Sequence, residues 1–363
     1  MKKLLTLLMV ALMVCSFVAC GGGEENPTYE IALITDVGNI DDRSFNQGSW
    51  EGVVAYAKAN NKTYAYYRPS EDTAASRLET IGTAIDGGAK VVVCPGFLFE
   101  DVIYDAQDQY PETQFLLIDG EPHTADYSAF KTGNNVHCIK YQEEQSGWFA
   151  GYAAVMDGYR KLGFLGGIDV DPVKRYGYGY VQGAEAAAKE LGLAAGDVTI
   201  KYSYAMSFDP SDDIKVKVSG WYSDGVEIVF SCGGDILESV IGAAQEATNG
   251  AKIIGVDTDQ SAISDLIVTS AFKLLPGSVE LSLTELYKNN GVWPEAYAGK
   301  TIVLGASTNS VGLPTEAASW KLANFTVEQY NAVYAKVLSG EIAISNVTTE
   351  APAVTLVSVD YQQ

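Results

Sequence analysis

The sequence is poor in the residues on which most enzymes and nucleic-acid binders depend. Of its 363 residues only two are histidine, His123 and His137, which excludes a three-histidine zinc site and leaves few candidates for imidazole acid–base chemistry. Basic residues are scarce as well: Lys plus Arg number 24 against 46 Asp plus Glu, a formal net charge of −22. That balance argues against nucleic acid, which needs a basic face, and against electrostatic adhesion to anionic lipid. The body of the chain holds only Cys94, Cys138 and Cys232. Their number is odd and their spacing matches no metal motif, so buried free thiols are expected. Charged residues make up only 19% and hydrophobic residues 47%, which excludes intrinsic disorder.

Motifs of covalent chemistry are missing too. Gly299-Lys300-Thr301 has the tail of a phosphate-binding loop, but Pro294 stands where the first glycine belongs. Gly177, Gly179 and Gly183 are spaced one residue too far for the dinucleotide fingerprint. No G-x-S-x-G elbow occurs, and neither histidine sits in a recognisable triad context. The sequence calls for no cofactor and no metal, and it points away from an enzyme.

At the N-terminus, Lys2 and Lys3 precede an apolar run from Leu4 to Val14. That run is too short for a membrane helix, which needs about 20 residues, and the pattern is that of an export signal. It ends at Phe17-Val18-Ala19-Cys20, followed by Gly21-Gly22-Gly23. The expectation is a signal peptide over 1–19, lipidation at Cys20 and a flexible tether over 20–28. An acidic body needs such an acyl anchor to stay at a membrane, so an extracytoplasmic, lipid-anchored protein is expected.

From residue 30 onward, apolar runs alternate with helix-like stretches. The runs are 31–35, 63–67, 90–94, 114–118, 136–141, 162–166, 198–202, 227–231, 252–256 and 301–304. Helix-like segments include 45–59, 75–86, 142–157, 181–191 and 236–248. Near-continuous Val/Ile/Leu strands between helices indicate parallel sheets covered on both faces, so the chain is α/β throughout. A shift of 131 residues brings Ile31 onto Leu162, Phe45 onto Tyr176 and Gly52 onto Gly183. This weak repeat suggests two similar lobes, with ligand at the carboxyl ends of their strands.

The loops after the strands carry the polar residues. Asp36 follows the first run, Asp119-Gly120 the fourth, and Asp257-Thr258-Asp259-Gln260 the ninth, while Phe208-Asp209 follows the strand near Tyr202. Any single such carboxylate is most simply a turn or helix cap, but three at the same kind of position favour a site. Ser44-x-x-Gln47 reads as a capping box that puts Phe45 in a first helical turn. Asp36, Asp41 and Asp42 lack the order of a calcium loop.

The segment from Asp36-Val37-Gly38 through Asp41-Asp42-Arg43-Ser44-Phe45-Asn46-Gln47 resembles the signature loop of the basic membrane protein (BMP, PnrA-like) family of substrate-binding lipoproteins of ABC importers. The likeness continues through Ile118-Asp119-Gly120, Glu143-Glu144-Gln145, Leu162 to Gly167, Cys232-Gly233-Gly234, Gly255 to Gln260 and Thr269 to Lys273. It implies a type I periplasmic-binding-protein fold, with two doubly wound parallel-sheet lobes and a hinge. Lobe 1 is expected over 29–140 plus 272–304, and lobe 2 over 141–271 plus 305–363. The resemblance further implies a purine nucleoside ligand, such as adenosine, guanosine or inosine, and an ABC permease with its ATPase as partners. By motif, Phe45 and Phe208 would stack on the base, Asp36 and Asn46 would meet its edge, Asp119 and Asp257 would accept from ribose hydroxyls, and Lys273 would reach the sugar. A sugar or other polyol ligand, a ligand-sensing receptor, and an enzyme on the same scaffold are the alternatives.

Overall fold

The computed structural model describes residues 28–362. The expected signal peptide, Cys20 and the tether up to Pro27 lie outside the described residues. The first part of the chain runs β1 (Ile31–Ile34), α1 (Phe45–Ala59), β2 (Tyr64–Tyr67), α2 (Ala74–Asp86), β3 (Val91–Pro95), α3 (Glu100–Gln109), β4 (Gln114–Ile118) and β5 (Val136–Tyr141). Then come α4 (Glu143–Asp157), β6 (Lys161–Gly166), α5 (Asp171–Glu190), β7 (Val198–Tyr204), α6 (Asp212–Ser223), β8 (Ile228–Cys232), α7 (Ile236–Glu246), β9 (Lys252–Asp257) and β10 (Ile267–Lys273). The last part holds α8 (Leu275–Lys288), β11 (Lys300–Leu304), β12 (Val311–Gly312), α9 (Val327–Leu338) and β13 (Val357–Tyr361).

These strands form two sheets, ordered β11-β5-β4-β3-β1-β2 and β12-β10-β9-β8-β6-β7-β13. Every pairing is parallel except β10 with β12. Alternate residues of each strand serve opposite faces. Ile31, Leu33, Val91, Val93, Leu116 and Ile118 pack with Val53 and Tyr56 of α1. Their neighbours Ala32, Ile34, Val92, Cys94, Phe115 and Leu117 pack with α2 and α3. The second sheet does the same, with Phe164 and Phe230 against α5 and Leu165 and Val229 against α6 and α7. Burial on both faces is why the strands read as continuous apolar runs. Cys94, Cys138 and Cys232 are buried free thiols.

The chain crosses between the lobes three times: after β5, after β10 and after β11. The crossings lie side by side and are bonded to one another. Gln142 N donates to Leu304 O at 2.8 Å, and Leu274 N donates to Ser310 O at 2.8 Å. Ala306 N donates to Gln145 Oε1 at 2.7 Å. The helix after each of the first two crossings packs on the far lobe, α4 on α5 and α8 on α1. Strand β10, ending at Lys273, belongs to the second sheet, while α8 and β11 belong to the first.

Three strands lie outside the apolar runs seen in the sequence: β10, β12 and β13. Helix α5 starts at Asp171, ten residues before the expected Val181. Its N-terminal half contains Gly177 and Gly179, poor helix formers that mask the pattern. Gly177 makes room for the rings of Phe164 and Tyr202 on the sheet below, and Gly179 is there because α4 presses on the helix. A Cβ at Gly179 or Gly183 would overlap the carbonyl oxygen of Glu144 or Trp148, and a Cβ at Gly147 or Gly151 would overlap that of Tyr176 or Tyr180. The glycines that fail as a nucleotide fingerprint therefore serve packing: Gly177 toward the sheet, Gly179 and Gly183 toward the crossing helix.

Candidate ligand-binding cleft

The carboxyl ends of both sheets face a cleft between the lobes. Asp36, Phe45, Asn46, Asp119, Phe208, Asp257 and Lys273 all line it. The residues expected from sequence are thus brought together, four from the first lobe and three from the second.

Two glycine-rich turns and one capped helix set the aromatic walls. Phe45 is the first residue of α1. The cap of that helix differs from the expected box: Ser44 makes no side-chain cap bond. Asp42 does the capping instead, with Oδ1 accepting from Ser44 N (2.9 Å) and Gln47 N (3.0 Å) and Oδ2 from Asn46 N (2.9 Å). The two oxygens of one carboxyl group satisfy three backbone donors at the helix start where a hydroxyl satisfies one. Ser44 is thereby released to donate to Asp257 Oδ2 across the cleft at 2.6 Å. Phe208 approaches from the other lobe. Its ring lies where a Cβ at Gly167 would be, and 3.1 Å from where one at Gly233 would be. The Gly166-Gly167 and Gly233-Gly234 turns therefore leave the space that its ring occupies.

Asp36 and Asn46 form a reciprocal pair. Asn46 Nδ2 donates to Asp36 Oδ1 (2.8 Å), and Asp36 N donates to Asn46 Oδ1 (3.2 Å). Asp36 Oδ1 also accepts from Gly38 N at 2.6 Å, so it closes its own turn. Burial, reinforced by Asp42, pushes its carboxyl up to about 6.

A buried charge cluster surrounds Lys273, whose ammonium lies 2.5 Å from Asp119 Oδ2, 3.4 Å from Asp257 Oδ1 and 3.5 Å from Glu143 Oε1. Arg175 Nε donates to Glu143 Oε2 at 2.6 Å. Asp119, just past β4, and Asp257, the last residue of β9, both have positive φ, 61° and 64°, a conformation in which Asp is among the few tolerated residues. Burial alone would push Lys273 down, but Asp119, Asp257 and Glu143 overcome it and hold the ammonium charged, above its ordinary range. Burial would raise Glu143, but Arg175 and Lys273 bring it below the usual carboxylate range. Three carboxylates against two cations leave one negative charge in excess. Asp119 is the carboxyl of the three that yields its charge first: burial raises it to about 7 against the pull of Lys273. Its Oδ1 is buried and has no hydrogen-bond partner among the described residues.

Four further residues of this cluster fall outside the expected set. Glu143 belongs to the Glu143-Glu144-Gln145 motif, which flags it in the sequence. Tyr176 is the repeat partner of Phe45; its hydroxyl lies 3.4 Å from Asp257 Oδ1, and both rings flank the Lys273 ammonium, at 5.5 and 4.7 Å. Ser44 lies inside the signature loop. Arg175 has no sequence signal, since nothing but the fold brings it to Glu143.

Known proteins share this architecture. The chain is 29% identical over 250 residues to the "ABC transporter nucleoside-binding protein BmpA" of Lactococcus lactis, covering 66% of each chain. It is 28% identical over 351 residues to "Basic membrane protein A" of Borreliella burgdorferi, covering 95% of this chain and 96% of that one. The crystal structure of an ABC transporter solute-binding protein from Aeropyrum pernix superposes with a TM-score of 0.72 at 20% identity, over 88% of this chain and 94% of that one, a likeness of fold. The family model described as "ABC transporter substrate-binding protein PnrA-like" matches residues 30–348. With two parallel-sheet lobes and a cleft between their strand ends, the chain belongs to the PnrA-like (Bmp) family of ABC transporter substrate-binding proteins.

Proposed function

We propose that this protein is a lipid-anchored extracytoplasmic receptor that closes on a purine nucleoside and delivers it, chemically unchanged, to an ABC permease driven by its ATPase. The observation that carries this reading is a cleft that joins aromatic walls to a polar, charged cluster. Phe45 and Phe208 line it from opposite lobes, with the Asp36–Asn46 pair on the lobe of Phe45 and the Lys273 ammonium 4.7 Å from the Phe45 ring. Asp119 and Asp257 surround that ammonium. The planar base is assigned to the aromatic walls and the ribose to the cluster around Lys273. Asp119 Oδ1, with no partner among the described residues, is the acceptor for a ribose hydroxyl. Asp257 already accepts from Ser44 and Tyr176, so its share in binding includes holding the lobes together.

Magnitudes agree with this assignment. Stacking on an aromatic is worth about 1–3 kcal/mol per base, and a hydrogen bond to a charged group about 1.5–3 kcal/mol. Two rings and one carboxylate contact support micromolar or tighter binding after ordering costs. The excess negative charge around Lys273 disfavours a phosphate, so nucleosides are preferred over nucleotides. Lipidation at Cys20 supplies the membrane attachment, and Cys20→Ser would release the protein into the soluble fraction. Among the described residues no helix is long and apolar enough to cross a membrane.

The test is a melting experiment on the full chain after bound ligand is stripped by partial unfolding and refolding. A ligand at a hundredfold excess over its Kd stabilises by about 2.7 kcal/mol. Adenosine, guanosine or inosine should raise the melting temperature, with uridine, cytidine, AMP, ribose, galactose and glucose much weaker. A shift with sugars alone would replace the nucleoside by a polyol, and turnover of any ligand would replace the receptor by an enzyme.

A further inference from the structure

The rim of the cleft carries a second set of contacts that join the lobes without lining the space for ligand. Arg43, on the loop between β1 and α1, is an exposed non-glycine residue with φ 53°, in the left-handed region that side chains other than Gly, Asn and Asp rarely adopt. Its N–H donates to Gln47 Oε1 at 3.0 Å, which fixes the turn. This conformation aims the Arg43 carbonyl out of its own lobe at the loop after β9. There it accepts from Thr258 Oγ1 at 2.8 Å and from Gln260 Nε2 at 3.0 Å. Gln260 has no freedom to turn its amide away, because its Oε1 accepts from Val256 N at 2.9 Å and its own N–H donates to Ser270 Oγ at 3.0 Å. Gly48 on α1 gives Thr258 room to approach, since a Cβ there would lie 3.1 Å from Thr258 Cγ2.

We infer that the Arg43 carbonyl, Thr258 and Gln260 form a closure latch that sets the affinity of the cleft without touching its ligand. Arg43 and Thr258 line the outer groove beside the hinge rather than the inner cleft, so the latch is the wall between the two. Both donors come from one lobe and the acceptor from the other, so these bonds form only when the lobes meet. When the lobes part, the Arg43 carbonyl and both donors exchange these bonds for bonds to water. The latch therefore contributes to closure the net worth of two hydrogen bonds, before any ligand contact is counted. Because apparent affinity scales with the fraction of molecules in the binding-competent state, loosening the latch weakens every ligand by the same factor. Residues that touch ligand change the order of preference; latch residues change its scale. Thr258 and Gln260 are positioning residues for the closed state.

This inference rests on the reading of the protein as a receptor that closes on ligand, and the experiment separates the two. Thr258→Val removes one donor with little change of shape. Gln260→Glu keeps the acceptor for Val256 N and replaces the amide donor. Each is made in the full chain, with circular dichroism and urea unfolding to verify the fold. Spin labels at Asp105→Cys in α3 and Val216→Cys in α6, one on each lobe, report the interlobe distance. Inosine, guanosine and adenosine are the ligand probes. The double variant should bind all three at least tenfold more weakly, through faster dissociation and with the wild-type order of preference kept. Its interlobe distance distribution without added ligand should move toward longer values. Phe208→Leu, by contrast, should change the order of preference and leave the ligand-free distances alone. If no nucleoside binds the wild type, the nucleoside reading fails and the ligand-free distances still decide the latch. Affinities within twofold of wild type together with unchanged distances would overturn it, and so would a changed order of preference in Thr258→Val.

Discussion

The two lobes solve the same problem with different degrees of intimacy. Strand by strand the sheets correspond: β1 with β6, β2 with β7, β3 with β8, β4 with β9 and β5 with β10, in the same spatial order. Asp119 directly follows β4 and Asp257 ends β9, both with positive φ and both on Lys273. Glycines four apart on the first helix of each lobe, Gly48 and Gly52 on α1 and Gly179 and Gly183 on α5, receive the helix that crosses from the other side. There the likeness stops. The crossing helix α4 brings its own Gly147 and Gly151, so glycines on both helices meet backbone to backbone, whereas α8 meets the α1 glycines with the Pro276 backbone and the side chains of Leu275 and Val279. Tyr141 ends β5 where Lys273 ends β10. The shared scaffold sets where the strand ends lie, and the departures from symmetry supply the chemistry: a single lysine, held by acids from both lobes, at the centre of a two-fold frame.

The largest expected effect probes the helix crossings. Gly183→Ala forces two backbones apart and should cost about 4 kcal/mol or more, or abolish folding. Gly52→Ala meets Pro276 O at 2.6 Å and Val279 Cβ at 2.8 Å, so it should cost about 2 kcal/mol, an ordinary overpacking penalty. Urea unfolding measures both, and equal losses would remove the distinction between the lobes.

Next comes a buried acid that only the second lobe has. Glu144, on the first turn of α4, occupies the position that Pro276 holds on α8. Burial, with Glu143 adding to it, pushes its carboxyl from 4.5 up to about 7. A raised folded-state value means that its contribution is complete below about pH 4.5 and is lost as pH rises through about 7. Glu144→Gln should therefore stabilise the protein by about 2 kcal/mol at pH 8 and change little at pH 5. Urea titrations at the two pH values decide it, and a gain independent of pH would exclude an ionised Glu144 as its source.

The paired aspartates give a smaller effect of a different kind. Asp119→Ala should weaken nucleoside binding by about tenfold or more, a loss of about 1.4 kcal/mol. Asp257→Ala should weaken it and open the lobes as well, since it also removes the acceptor for Ser44. Calorimetric affinities together with interlobe distances distinguish them. The smallest effect is one on which the lobes should agree. Thr73 caps α2 by accepting from Ser76 N, and Ser211 caps α6 by accepting from Ile214 N. Replacing either by Ala should cost about 1 kcal/mol.

Much of this was legible in the sequence because a buried parallel strand announces itself. The runs at 114–118 and 136–141 coincide with β4 and β5, and the segment 45–59 coincides with α1. The seven residues named for the site share one cleft, because each lies at or beyond the carboxyl end of a strand, and those ends in a parallel sheet converge. The edge strand β13 was not legible, since Val357–Tyr361 alternates with exposed residues and carries a weaker apolar signal. The start of α5 was hidden by Gly177 and Gly179, whose purpose is visible only beside the sheet for the first and beside α4 for the second. The capping box misled because Asp42, two residues earlier, outcompetes a hydroxyl for the same donors and leaves Ser44 free for the other lobe. Arg175 depends on the angle between two helices, which no local pattern encodes.

The central claim is that the cleft takes a base at its aromatic walls and a sugar at the Lys273 cluster and needs both occupied by one molecule. Titration calorimetry of the ligand-stripped protein with inosine, hypoxanthine and ribose tests it directly. The expected result is micromolar or tighter binding of inosine, with the free base and the free sugar each at least a hundredfold weaker. Ribose or hypoxanthine binding as tightly as inosine, or inosine not binding at all, would contradict it.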